Sequence, residues 1–161
     1  VITIESETRF RVLMEFVFEY QLVEEFDGGV LQKGSGDNRL NGSIQKEYEI
    51  IKNNYNYTLK FGEIPNGIDH EYIEYTVAKI YYEEPADDRL VFSQHFGRYL
   101  TFEEVAPHYY RMVSPDGQNF YRYEGGICTE VKVSRDFGTV YFKLKPESYV
   151  IVNTPDSLRN K

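Results

Sequence analysis

The chain is expected to fold as a mainly β domain: an antiparallel β-barrel or β-sandwich of about eight to ten strands built from sequential hairpins, with one or two short helices. Three observations carry this. From Tyr55 to Phe61 the order Tyr-Asn-Tyr-Thr-Leu-Lys-Phe puts every aromatic or aliphatic group on one side and every polar group on the other, the pattern of a half-buried strand. Turn chemistry built on Gly, Asn, Asp and Pro recurs at strand-like intervals along the chain. Aromatics make up 16% of the residues, as 15 Tyr and 11 Phe with no Trp, and both favour pleated surfaces. With 161 residues and neither an internal repeat nor a low-complexity linker, one domain over 1–161 is expected, large enough to bury roughly 70% of the surface its unfolded form exposes.

The elements follow in order. From Phe10 to Leu22 every even position is apolar. The Phe-Val-Phe-Glu-Tyr content selects one long strand over the helix that the spacing of Phe10, Leu13, Met14, Val17 and Phe18 also allows. Asp27-Gly28-Gly29 stops it, and Gly34 to Gly42 reads as a loop. Ser43 to Ile51 and Tyr55 to Phe61 form a hairpin through Lys52, Asn53 and Asn54, since asparagine tolerates the left-handed backbone of tight turns. A turn at Pro65-Asn66-Gly67 precedes a strand from about His70 to Tyr82, with Ile73, Tyr75 and Val77 on one face. Leu90 to Phe96 is a further strand. Thr101-Phe102-Glu103-Glu104 matches a capping box and predicts a short helix that Pro107 limits. Tyr109 to Val113 and Gln118 to Tyr123 flank the turn Ser114-Pro115-Asp116-Gly117. Ile127 to Val133 and Thr139 to Leu144 flank Asp136-Phe137-Gly138, and Tyr149 to Val152 adds a last edge strand.

Net charge is −8, concentrated in one stretch. Between Glu63 and Asp88 stand Glu63, Asp69, Glu71, Glu74, Glu83, Glu84, Asp87 and Asp88 against the single cation Lys79. Such a field disfavours nucleic acid and anionic membrane surfaces and admits a basic protein partner. No apolar run approaches the ~20 residues of a membrane helix, and no signal-peptide pattern opens the chain. It begins at Val1 rather than Met, so processing before Val1 stays an open alternative and the compartment is undetermined. Cys128 is the only cysteine, which excludes an internal disulfide, and its neighbours Ile127, Thr129 and Val131 place it in a strand as a small buried hydrophobe.

No motif for catalysis or for a cofactor stands out, and neither a cofactor nor a metal is expected. Gly29, Gly34 and Ser35 have the glycines of a phosphate loop but not its lysine. His70, His95 and His108 lie near carboxylates without metal-motif spacing. Glu15, Glu19, Glu74 and Glu130 sit in strand contexts, with Glu15 and Glu19 opposite the Phe16 and Phe18 side and so toward solvent. Glu5, Glu7 and Arg9 alternate in a run that resembles the Glu-x-Glu-x-Lys strand of the triphosphate tunnel enzymes. The likeness covers one strand with Arg for Lys, and no later strand supplies the basic residues such tunnels need, so it assigns no site. Tyr81-Tyr82, His108-Tyr109-Tyr110 and Phe120-Tyr121-Arg122-Tyr123 form aromatic clusters; alternate members point oppositely, so either Tyr121 and Tyr123 or Phe120 and Arg122 face out.

The leading expectation is a noncatalytic binding domain whose acidic, tyrosine-rich surface engages a protein partner, as inhibitor, immunity or accessory proteins do. Glu83, Glu84, Asp87, Asp88, Tyr121 and Tyr123 are its candidate contacts. The alternative is a small-molecule-binding barrel or barrel enzyme with a tyrosine-lined pocket drawing on His70, His95 and His108. A structural or assembly subunit that self-associates is the third.

Overall fold

A computed structural model describes residues 1–11, 15–86, 89–135 and 138–144. Alternating apolar and polar residues carry most of them into strands. Six of these pair in chain order as one antiparallel sheet: β1 (Ile2–Arg11), β2 (Glu15–Asp27), β3 (Val30–Leu40), β4 (Ser43–Lys52), β5 (Tyr57–Phe61) and β6 (Ile64–Ile68). Six more do the same in a second sheet: β7 (Arg89–Ser93), β8 (Arg98–Ala106), β9 (Tyr109–Ser114), β10 (Gly117–Glu124), β11 (Ile127–Arg135) and β12 (Gly138–Lys143). The protein is mainly β, as the sequence predicts, and both sheets are meanders of sequential hairpins in a sandwich-like arrangement.

Each sheet buries one face, and the segment joining them completes both cores. The first sheet turns Leu22, Leu31, Ile50 and Leu59 inward against Ile73 and Ala78 of that segment and Phe92 of β7. The second packs Leu100, Phe102, Met112 and Tyr121 against Tyr75 and Ile80. The segment is held by backbone bonds to both sheets: Leu31 N–H donates to the Ile73 carbonyl at 2.8 Å, Phe92 N–H to Tyr75 at 2.9 Å and Val77 N–H to Phe92 at 3.1 Å in a parallel bridge, and Glu84 N–H to Gly126 at 3.0 Å. Only a 3₁₀ turn at Lys79–Tyr81 is regular there.

An irregular segment inside a core leaves backbone groups without a ladder, and buried groups of this kind must find partners. Tyrosine supplies them. The Tyr123 hydroxyl donates to the Ile80 carbonyl at 2.5 Å, Tyr75 to Glu83 at 2.6 Å and Tyr110 to Pro85 at 3.1 Å. The Tyr57 hydroxyl donates to the Leu31 carbonyl at 2.8 Å and accepts from Ile73 N–H at 3.1 Å. The tyrosine excess thus has a structural use, with the ring in the core and the hydroxyl on the threaded backbone.

Five expected elements differ from the structure. The single strand over Phe10 to Leu22 is the meeting of β1 and β2, with residues 12–14 outside the described residues. Pairs such as Phe10 with Phe16 and Arg9 with Val17 join positions whose numbers sum to 26, so even faces even and the alternation runs through the reversal unbroken. The Gly34 to Gly42 loop is mostly β3. A Cβ at Gly34 would lie 3.2 Å from Ile50 Cγ2 and 3.3 Å from Glu24 Cγ, and one at Gly36 would overlap the Tyr48 ring and lie 2.9 Å from the Gln21 carbonyl oxygen. These glycines serve close packing inside a strand. Pro65, Asn66 and Gly67 belong to β6, an edge strand where a proline without N–H is tolerated. Thr101 to Glu104 lies in β8 because Leu100 and Phe102 both turn into the core, and that burial overrides the local capping signal. The expected strand from His70 to Tyr82 is the irregular segment, and its alternating residues go to different cores, Ile73 to the first and Tyr75 and Val77 to the second.

With these changes the described residues hold twelve strands rather than eight to ten. The hairpins β4–β5, β9–β10 and β11–β12 stand as expected, and Tyr149 to Val152 lies outside the described residues. Gly36→Ala is expected to destabilise the fold by about 2 kcal/mol through overpacking against Tyr48. Urea unfolding checks this, and an unchanged midpoint would mean the ring moves aside freely.

Candidate functional site

Antiparallel register assembles an acidic groove on the outer face of the first sheet. On β2, Leu22 and Glu24 point inward, so Glu19 and Gln21 point out, and the same parity exposes Glu5 and Glu7 on β1. The register sets Glu5 opposite Gln21 and Gln21 opposite Asp37, and beside that row it sets Glu7 opposite Glu19 and Glu19 opposite Arg39. Together with Ser6 and Tyr20 these residues line a groove of about 500 Å³. Arg39 Nε donates to Asp37 Oδ1 at 2.8 Å, and Asp37, then Glu19 and Glu47, hold the guanidinium more firmly charged than usual. Gln21 Nε2 donates to Glu5 Oε1 at 3.0 Å. A smaller recess continues along the same face between Val23, Glu25, Lys33, Ser35 and Glu49, where Lys33 bridges Glu25 at 3.1 Å.

The second polar constellation is internal. Glu24, on the inner face of β2, is fully buried; it accepts a hydrogen bond from Thr76 Oγ1 at 2.5 Å and another from Gln94 Nε2. Thr76 belongs to the connecting segment and Gln94 follows β7, so one carboxyl on β2 bonds to groups from two other parts of the chain. Burial pushes its pKa up to about 7, against the lowering effect of Thr76, Gln94 and the more distant Lys79. Tyr20 and Tyr48 stand nearby with hydroxyls 3.5 Å apart, and burial raises both above the ordinary phenol value. Asn38, beside Tyr20 in the register, has a buried Oδ1 with no partner among the described residues.

The residues singled out from sequence fall in separate places. Tyr121 and Tyr123 are 1% and 2% exposed, so they form no outward patch; their parity in β10 faces the core, and Phe120 and Arg122 take the outer side. Glu83 is exposed, whereas Glu84 accepts at 2.8 Å from His108 Nδ1 and its N–H is tied to Gly126. Asp87 and Asp88 lie outside the described residues.

The three histidines do not share a pocket. His70 packs edge-on to Tyr99, and His108 sits at a left-handed turn against Glu84. His95 lies 3.8 Å from Asp116 at its Nε2 and gives its carbonyl to Lys46 Nζ at 2.6 Å. Burial and then Lys46 lower the His95 pKa. Among the described residues no three His, Cys, Asp or Glu side chains gather as metal ligands would. Cys128 is buried, and burial pushes its thiol up to about 12, far from a reactive thiolate.

The groove residues Glu5, Glu7 and Glu19 carry a sequence signal in their alternation, but Asp37 and Arg39 fell in a stretch that reads as loop. Their meeting depends on the register of three strands. One family profile, described as a domain of unknown function (DUF6134), matches residues 1–145. No curated protein and no solved structure matches the chain.

Proposed function

The chain belongs to the DUF6134 family, a domain of unknown function, and we propose that it is a noncatalytic binding domain that engages a basic protein segment through the groove on the first sheet. The observation that supports this is the convergence of Glu5, Glu7, Glu19 and Asp37 from three strands beside Arg39, on a sheet face with a recess of about 500 Å³. A backbone held in sheet ladders, on both sides for β2 and β3 and on one side for the edge strand β1, presents these carboxylates with little ordering cost on binding. The acidic net charge speeds approach of a cationic partner and repels phosphate polymers. In the interior, many tyrosine hydroxyls are engaged by the connecting segment, which leaves the surface as the better-supported place for recognition.

A fluorescent hexalysine peptide serves as probe. Reversing Glu5, Glu7 and Glu19 to lysine is expected to weaken its binding at least tenfold and to flatten the salt dependence. Reversal of Glu83, Asp87 and Asp88 provides a comparison of equal charge change. A larger loss there would move the contact to that segment, and equal small losses from both would leave only nonspecific attraction.

A further inference from the structure

The outer face of the second sheet carries the opposite chemistry. Across β9, β10 and β11 four side chains form one stack, two rings between two cations. The Arg122 guanidinium lies 4.9 Å over the Tyr109 ring, Tyr109 and Phe120 stack at 5.7 Å with 14° between planes, and Lys132 Nζ lies 5.3 Å over Phe120. Of the acids on this face, Glu103 is engaged by Arg111 and Glu130 by Lys143 at 3.5 Å, while Glu124 is exposed two residues beyond Arg122. A cation seated on a ring keeps its charge and its outward side, so this stack is a stiff, flat surface with two charges ready for carboxylates. Exposed Tyr141, opposite Lys132 in the register, extends its aromatic area.

We infer that this cation–aromatic face docks on the acidic groove of a second copy, so that the domain associates head to tail. The inference rests on the groove being a binding face and names its partner. The argument is one of complementarity. Both faces are antiparallel sheets and therefore share a spacing of about 4.8 Å between strands and about 7 Å between side chains of one face. Arg122 and Lys132 sit diagonally on adjacent strands, and Glu7, Glu19 and Glu5 occupy adjacent strands on the other face, so the charges fall on matching grids. Sheets of this kind pack face to face with their strands nearly aligned. Because the two surfaces differ, each copy keeps one free face of each sign, and association continues as a chain or closes as a ring. The charge of −8 opposes approach at long range, but moderate salt screens that repulsion and leaves contact pairs largely intact.

Sedimentation velocity tests this with two variants, Glu7→Lys with Glu19→Lys and Arg122→Glu with Lys132→Glu, each confirmed folded by circular dichroism. The wild-type chain is expected to form species that grow with concentration, and each variant alone to remain monomeric. Their equimolar mixture is expected to regain growth with concentration, because the intact groove of one meets the intact cation face of the other and the two reversed faces are again of opposite charge. A wild type that stays monomeric at millimolar concentration, variants that still grow alone, or a mixture that stays monomeric would each overturn the inference. Hexalysine binding by the same proteins separates the two readings. Binding without self-association removes only the second copy as partner, whereas loss of both removes the groove as a binding face.

Discussion

Glu24→Gln is expected to stabilise the domain by about 3 kcal/mol at pH 8 and to leave its stability unchanged at pH 4. The carboxyl has a pKa of about 7 in the folded state against 4.5 ordinarily. Below pH 4.5 both folded and unfolded chains hold the proton, and burial of the neutral acid carries no ionisation penalty. Between 4.5 and about 7 the unfolded chain releases its proton while the folded one retains it, so stability falls as pH rises. Above about 7 both are ionised and the penalty stays at its full value. Glutamine has the shape of the protonated acid: its carbonyl can accept from Gln94, and its amide can face the Thr76 hydroxyl. Urea unfolding of both proteins from pH 4 to pH 9 measures the difference, and a gap that does not change with pH would show that Glu24 titrates as an ordinary carboxylate. Leucine is not an equivalent replacement, since the buried Gln94 amide would lose its acceptor.

Tyr57→Phe is expected to cost about 3 kcal/mol, although it removes one oxygen atom. That oxygen is bonded on both sides, donating to the Leu31 carbonyl and accepting from Ile73 N–H. Each buried group left without a partner costs roughly 1–3 kcal/mol. The direct bond from Leu31 N–H to the Ile73 carbonyl remains, so the connecting segment loosens rather than detaches. Urea denaturation gives the stability, and hydrogen exchange at the Ile73 amide is expected to accelerate more than exchange in β10. Tyr72→Phe provides the comparison: Tyr72 is 56% exposed, and its loss of a hydroxyl is expected to change stability by less than about 0.5 kcal/mol. Equal effects at both positions would remove the special role of Tyr57.

Half of the acidic groove was legible in the residues and half was not. Glu5, Glu7 and Glu19 announce a polar face because strand alternation is a local pattern. Asp37 and Arg39 stand among Gly34, Gly36 and Asn38, a composition that signals a turn when read alone. The glycines are required instead by the Tyr48 ring and by Glu24 and Ile50, which come from the strands on either side. Glu24 gave no signal for a related reason. It sits in Val23-Glu24-Glu25-Phe26, where one of two adjacent acids must face inward, and only the partners waiting on the connecting segment and after β7 make that placement tolerable.

The same division runs through the molecule. Periodicity, turn residues and aromatic content determine the mainly β class and hairpins such as β4–β5 and β9–β10, because these depend on neighbours in the chain. Which side of β10 faces the core, whether Thr101 to Glu104 runs as strand or helix, and whether residues 69–86 pair in a sheet or thread between two cores are decided by contacts distant in sequence. A period-two pattern names two faces without saying which is buried, and a local capping or turn signal worth about 1 kcal/mol yields to the several kcal/mol gained by burying residues such as Phe102 and Tyr121.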